Sequence, residues 1–115
     1  MRSDKENVIV KLTFEFALEI IEFSEELEEK RKYVLARQIL KAGTSIGANV
    51  REAQNAESKA DFIHKMKISA KEADEVEYFL LLCKHAKSYP FKQSLLDNLS
   101  VIIKILSKII SSSKG

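Results

Sequence analysis

The residues best suited to chemistry in this chain are two histidines, one cysteine and many carboxylates. His64 follows Asp61 by about one helical turn, a spacing at which two side chains on a helix can share a metal ion. A di-iron bundle needs two Glu-x-x-His motifs and two further inward carboxylates, but His85 has Leu82 at the equivalent position. We therefore expect no metal site and no cofactor, and an ordinary helical role for His64.

No other pattern indicates catalysis. Helical ribonucleases of small bundle fold place an arginine shortly before a histidine, whereas the nearest arginine upstream of His64 is Arg51, thirteen residues away. Cys83 falls in an apolar seam, where a cysteine acts as a small buried hydrophobe. Neither a phosphate-binding glycine loop nor a Gly-x-Ser-x-Gly turn is present. We expect a protein that is not an enzyme.

Cationic residues on two neighbouring helices are candidates for contact with nucleic acid. Arg37 and Lys41 are one turn apart on the second predicted helix, and Lys67 and Lys71 repeat that spacing on the third. Side by side, the two helices would form a basic strip able to meet phosphates without sequence preference. The alternative is a solvated helix face. The candidate nucleic-acid-binding residues are Arg31, Lys32, Arg37, Lys41, Arg51 and Lys65.

A polar cluster is expected where the second and third helices meet. Asn49 and Ser69 interrupt their apolar seams, and a buried polar group without a partner costs about 1–3 kcal/mol. We expect hydrogen bonds that link Ser45, Asn49, Ser69 and one glutamate and fix the helix register, as a seam asparagine does in a coiled coil. Catalysis by this cluster is the alternative. Its candidate members are Ser45, Asn49, Glu52, Ser69, Glu72 and Glu75.

Four helices position these residues, over about 8–29, 33–55, 58–88 and 91–112. Apolar residues recur at steps of three and four, most regularly from Phe62 to Cys83. Ser58 and Asp61 resemble a capping box at the start of the third helix, and Pro90 ends that segment. Breakers are scarce, with 3 Gly and 1 Pro in 115 residues. The pattern predicts one all-α domain, an antiparallel up-down-up-down four-helix bundle spanning residues 1–115.

Small residues on the second helix indicate close packing. Gly43 and Gly47 lie one turn apart inside it, at a cost of about 1 kcal/mol each relative to alanine. That cost suggests the close approach of another backbone, and the narrow third-helix seam at Ser69 and Ala73 suggests that the second and third helices pack closely. The alternative is a kink or break near Gly43.

The bulk composition limits the location and the partners. The formal net charge is only +2, but residues 1–29 carry nine acids and three bases, and residues 30–71 carry ten bases and three acids. No signal peptide and no apolar run long enough for a membrane span are evident, so we expect a cytoplasmic protein. The first and fourth helices have more apolar perimeter than one bundle buries, which predicts self-association. The alternative is scattered surface residues.

The amino-acid sequence of the second helix resembles that of the bacterial 23S rRNA intervening-sequence protein family, whose members are often called four helix bundle proteins. The similarity is most specific in GTSIGANVREA, residues 43–53, and covers nearly the whole chain. The other matching segments are residues 14–17, 31–35, 38–40, 59–65, 70–73, Glu75 and 77–78.

The resemblance implies an up-down bundle that assembles into a ring-like homopentamer. Relatives include the accessory protein of diversity-generating retroelements, which binds a reverse transcriptase and nucleic acid through a basic outer surface. Other members are encoded inside insertions in ribosomal RNA genes. The expected function is therefore that of an oligomeric RNA- or DNA-binding accessory protein, associated with such insertions or with a reverse transcriptase. The alternative is a protein-interaction scaffold that binds no nucleic acid, and a metal-dependent enzyme is a third reading.

Overall fold

The computed structural model describes the backbone of residues 4–114 and the side chains of residues 8–114. Its helices are α1 (Asp4–Glu29), α2 (Tyr33–Ala53), α3 (Lys59–His85) and α4 (Gln93–Lys114). No strand occurs between residues 4 and 114. The expected all-α class is confirmed.

Consecutive helices lie side by side and run in opposite directions. Ser69 of α3 contacts Ile46 of α2, whereas the earlier Lys65 contacts the later Glu52. Across α1 and α4 the same reversal holds, since Asn98 meets Glu19 and Lys92 meets Glu26. Each helix packs against its two neighbours in a bundle of 45 × 20 × 18 Å. The up-down-up-down bundle follows the sequence prediction.

The core is a single cluster built from the predicted seams. Its apolar side chains come from all four helices because each helix repeats an apolar residue at steps of three or four. Among the residues with 2% exposure or less are Phe16, Ile20, Phe23, Leu27, Ile39, Ile46, Val50, Met66, Ala73, Val76, Leu80, Cys83, Leu95, Leu99, Ile102 and Leu106.

The two glycines of α2 face α1. A Cβ on Gly43 would lie 2.7 Å from Ile20 Cγ2, and a Cβ on Gly47 would lie 3.2 Å from the backbone oxygen of Thr13. α2 continues through both positions as one helix, so the suggested break near Gly43 is absent. The close backbone approach is real at Gly47, but the approaching helix is α1.

The ends of the helices are set by local chemistry. α3 begins where Ser58 Oγ accepts a hydrogen bond from the Asp61 amide at 3.0 Å, while Asp61 Oδ2 accepts one from the Glu57 amide. α3 ends at His85 rather than near residue 88, and α4 begins at Gln93 rather than near residue 91. The break is wide because Ser88 has a φ of 65° and Pro90 follows it.

No helix within the described residues is both long enough and apolar enough to cross a bilayer.

Candidate nucleic-acid interface

Arg31 and Lys32 lie in the connection between α1 and α2, at one end of the bundle. The Lys32 amide donates to the carbonyl of Leu27 at 2.8 Å and the Arg31 amide to that of Glu28 at 2.9 Å. This hydrogen-bonded ending of α1 requires a left-handed residue after the helix, and Arg31 takes that place with a φ of 64°. An arginine therefore occupies a backbone position that glycine would adopt more easily.

Lys32 ties this connection to the one between α3 and α4. Its Nζ donates to Ser88 Oγ at 3.3 Å and lies 4.6 Å from the centre of the Tyr89 ring. Lys84, in the last turn of α3, is 5.9 Å from the centre of the Phe91 ring. The two connections thus meet at one end of the bundle. We call the cations in and beside them the basic end: Lys30, Arg31, Lys32, Lys84 and Lys87.

The remaining predicted cations follow the length of α2 and α3. Arg37, Lys41 and Arg51 are exposed on α2. Lys41 lies beside Glu72 and Glu75, with which it lines one surface depression. Carboxylates therefore lie among the cations where α2 and α3 meet.

Lys65 is engaged within the chain. Its Nζ is 3.0 Å from Glu52 Oε1, and this hydrogen-bonded carboxylate raises the pKa of Lys65. A surface pair of this kind contributes little to stability, but it supplies the lysine with a counter-charge. Lys65 is thus a weaker candidate for a phosphate contact than the cations of the basic end.

The predicted polar cluster does not form as one network. Ser69 is fully buried, and its Oγ donates to the Ile46 carbonyl at 2.8 Å across the α2–α3 interface. Ser45 Oγ donates instead to the Lys41 carbonyl, and Asn49 Nδ2 to the Ser45 carbonyl, both within α2. The half-buried serine and asparagine are satisfied on their own helix, so of these three polar side chains Ser69 alone bonds across to the other helix.

The glutamates of the predicted cluster go to separate places. Glu52 pairs with Lys65. Burial raises the pKa of Glu72, the neighbouring Glu75 raises it further, and Lys71 and Lys41 oppose the shift. These two carboxylates lie on the α3 surface and do not reach the buried Ser69 in any hydrogen bond of the described residues.

The residues first considered for catalysis occupy ordinary helical positions. His64 is exposed. Cys83 is 1% exposed, and burial raises the pKa of its thiol to about 11, so its reactive thiolate is disfavoured at neutral pH. Within the described residues, no three His, Cys, Asp or Glu side chains are grouped closely enough to hold a metal ion.

An exposed apolar surface lies between α1 and α2, which we call the α1–α2 apolar face. Phe14, Leu18 and Ile21 are 57%, 50% and 40% exposed on α1. Beside Phe14 runs a groove of about 220 Å³, whose α2 wall includes Thr44 and Ala48. On α4 the expected excess is largely covered, since Val101 is exposed there but residues Leu96, Ile103, Ile105 and Ile110 pack against the core.

Lys84 and Lys87 escaped the sequence reasoning, although a signal for them existed. An up-down bundle brings its first and third connections to the same end. The cations flanking Pro90 could therefore have been placed beside residues 30–32. Helical periodicity groups cations along one helix face and carries no information on which bundle end they share.

Comparisons with known proteins agree with this fold. The family model of the 23S rRNA-intervening sequence protein matches residues 5–112. A crystal structure with a TM-score of 0.87 and 42% identity covers 93% of this chain and 98% of its own. That structure is of a protein of unknown function from the S23 ribosomal protein family of Bacteroides thetaiotaomicron VPI-5482. No curated protein matches the chain. Because the family model spans nearly all of it, the chain belongs to the 23S rRNA-intervening sequence protein family.

Proposed function

We propose that the protein is a non-enzymatic, homo-oligomeric accessory protein of the cytoplasm that binds RNA or DNA through the basic end. The observation that carries the proposal is the meeting of two connections at Lys32, Ser88 and Tyr89. This meeting concentrates five cations from separate parts of the sequence. Phosphate backbones are attracted by such concentrations of positive charge, and the attraction is independent of base sequence.

The balance of charge at this end favours an anion. Glu26 is neutralised by Lys92, whose Nζ lies 2.7 Å from its Oε2. Glu25, Glu28 and Glu29 remain as exposed carboxylates near the end of α1. The five cations outnumber these three, so the basic end keeps a positive balance.

The start of α2 adds backbone donors to the same end. Lys32 is its N-cap residue and makes no side-chain capping hydrogen bond, and the first turn holds no acidic residue. The first amides of a helix point outward and, together with the helix dipole, favour a bound phosphate. Tyr33, half exposed in that first turn, offers an aromatic face for a base.

The backbone of Arg31 is a further support. Non-glycine residues rarely adopt a positive φ, and the cost is of order 1 kcal/mol or more. The arginine at this position places a cation at the end of the bundle, and Ser88 in the facing connection has the same backbone conformation. Such local strain is typical of binding sites.

The test measures nucleic-acid affinity against salt for Arg31→Gly combined with Lys87→Gln. The glycine relieves the left-handed backbone, so we expect the free energy of unfolding to be kept or raised. The affinity for a single-stranded RNA should fall, and the slope of log K against log salt should lose about 2, one for each cation removed.

The matched control is Lys104→Gln with Lys108→Gln, two exposed lysines one turn apart on α4. We expect this control to keep most of the wild-type affinity. Equal losses in both variants, or a wild-type protein that binds no RNA and no DNA, would contradict the assignment of the basic end.

A protein-interaction scaffold is the second candidate, and the α1–α2 apolar face favours it because monomers rarely expose a contiguous apolar patch without a partner. Its partner would be a reverse transcriptase or another enzyme. A tagged protein that retains no protein from a host lysate would count against this candidate. For the homo-oligomer we expect a ring of five copies, as the sequence resemblance implies.

A further inference from the structure

The α1–α2 apolar face has two unlike halves. On α1 it presents large side chains, since Phe14 is 57% exposed and Leu18 is 50% exposed. On α2 it presents the small residues Thr44 and Ala48, beside a groove whose floor contains Gly47. Large side chains from one surface fit grooves between small residues of another. The two halves are therefore complementary in shape, but they lie side by side and cannot cover each other.

The borders of this face have opposite charge. Exposed Glu15, Glu22 and Glu25 follow the α1 side, and we call them the acidic edge. Exposed Arg37, Lys41 and Arg51 follow the α2 side, and we call them the basic edge. Neither of the two ion pairs between described side chains includes any of these six residues, and within its own chain Lys41 lies beside Glu72 and Glu75 without pairing with them.

The two edges also match in height along the bundle. Ile20 lies opposite Gly43, and Thr13 lies opposite Gly47. Both helices rise about 1.5 Å per residue and run in opposite directions. Counting from these two pairs toward the basic end, Glu22 of α1 lies at the same height along the bundle as Lys41 of α2. The same count places Glu25 level with Arg37.

From this agreement of shape, charge and height we infer that α1 of one copy lies on α2 of a second copy. Phe14 and Leu18 cover the second copy's Thr44 and Ala48, and Glu22 and Glu25 face its Lys41 and Arg37. The inference rests on the proposed homo-oligomer and names the surfaces that form it. Because every copy carries both halves, the contact can be repeated around a closed ring.

This contact gives the cations of α2 a role different from that of the basic end. Arg37 and Lys41 pair with a neighbouring copy, whereas Arg31 and Lys87 stay free at the end of the bundle. Self-association and nucleic-acid binding therefore depend on different residues and can be removed separately.

Sedimentation velocity of charge-reversal variants tests the contact. We expect Glu22→Lys with Glu25→Lys, and separately Arg37→Glu with Lys41→Glu, to reduce the mass to that of one chain, 13.1 kDa. Combining all four changes restores opposite charges across the contact and should restore the wild-type mass. The control Lys104→Glu with Lys108→Glu should leave the mass unchanged. Double variants that keep the wild-type mass would overturn the inference.

A second measurement does not depend on the refolding of a fourfold variant. Chains with Glu25→Cys and chains with Arg37→Cys are mixed and treated with a thiol-to-thiol crosslinker long enough to span an ion pair. We expect a crosslink between the two kinds of chain, with buried Cys83 taking no part. If the wild type is oligomeric but this crosslink is absent, the contact is wrong and the homo-oligomer stands. A monomeric wild type would contradict both this contact and the proposed homo-oligomer. The partner of the α1–α2 apolar face would then be an unrelated protein.

Discussion

The neighbours of each cation decide what it can bind. Lys65 is matched by Glu52 at 3.0 Å. Lys32 is held over Tyr89 and by Ser88, and Arg31 is fixed by a left-handed backbone. Formal charge counted along a sequence treats these residues alike, although their environments differ. The contacts that distinguish them cross between connections far apart in the chain, so the sequence pattern could not supply them.

At the residue scale, Glu72 carries a testable dependence on pH. Burial and Glu75 raise its pKa above the ordinary 4.5, so the fold disfavours its carboxylate relative to the unfolded chain. The native state then binds more protons than the unfolded state between the two pKa values, and stability falls as pH rises through that window. Above the raised pKa of Glu72, this loss of folding stability is complete.

We therefore expect Glu72→Gln to raise the free energy of unfolding at pH 7, with a smaller gain at pH 4, where the wild-type carboxyl is largely protonated. Urea unfolding of the wild type and the variant at the two pH values measures this gain in the free energy of unfolding. Asp74→Asn, at an exposed position of the same helix, is the matched control. A gain that is the same at both pH values would contradict the burial of the Glu72 carboxylate.

At the scale of elements, α2 packs against α1 on one side and against α3 on another. Gly43 and Gly47 admit α1, while the carbonyl of Ile46, on another side of the same helix, accepts from Ser69 of α3. Periodicity predicted the helices, the capping-box motif predicted the role of Ser58, and Pro90 predicted the break before α4. It could not say which neighbour each small residue faces, because a glycine fits close approach from either side.

Gly43→Ala tests the α1–α2 packing. Alanine favours a helix by about 1 kcal/mol over glycine, but its Cβ would meet Ile20 at 2.7 Å, and overpacking costs about 1–3 kcal/mol. We expect a net loss of stability, by about 1 kcal/mol in urea unfolding. Adding Gly43→Ala to Ile20→Ala should instead stabilise, because the clash is gone.

The control for this cycle compares Gln38→Ala with Gln38→Gly at an exposed position of the same helix, which measures helix propensity away from both α1 and the α1–α2 apolar face. A stabilising effect of Gly43→Ala in the wild-type background would show that Ile20 does not confine that position.

At the scale of the whole molecule, topology explains both proposed surfaces. The up-down path brings residues 30–32 and 86–92 to one end, and it leaves an acidic α1 beside a basic α2. The apolar excess was predicted for the first and fourth helices, but the bundle covers most of it on α4 and leaves it on α1. Which apolar residues stay exposed depends on the positions of neighbouring helix axes, and those positions are not encoded in the periodicity of one helix.

The central claim is that a second copy of the chain covers the α1–α2 apolar face. Its most direct test is the mass of the full chain in solution, measured by sedimentation equilibrium for the wild type and for Phe14→Ser with Leu18→Ser. Both side chains are at least half exposed, so these changes should leave the fold intact by circular dichroism. We expect the wild type to sediment at a multiple of 13.1 kDa, fivefold for the ring, and the variant to sediment as a single chain. A wild type that stays at 13.1 kDa at every concentration would contradict the account.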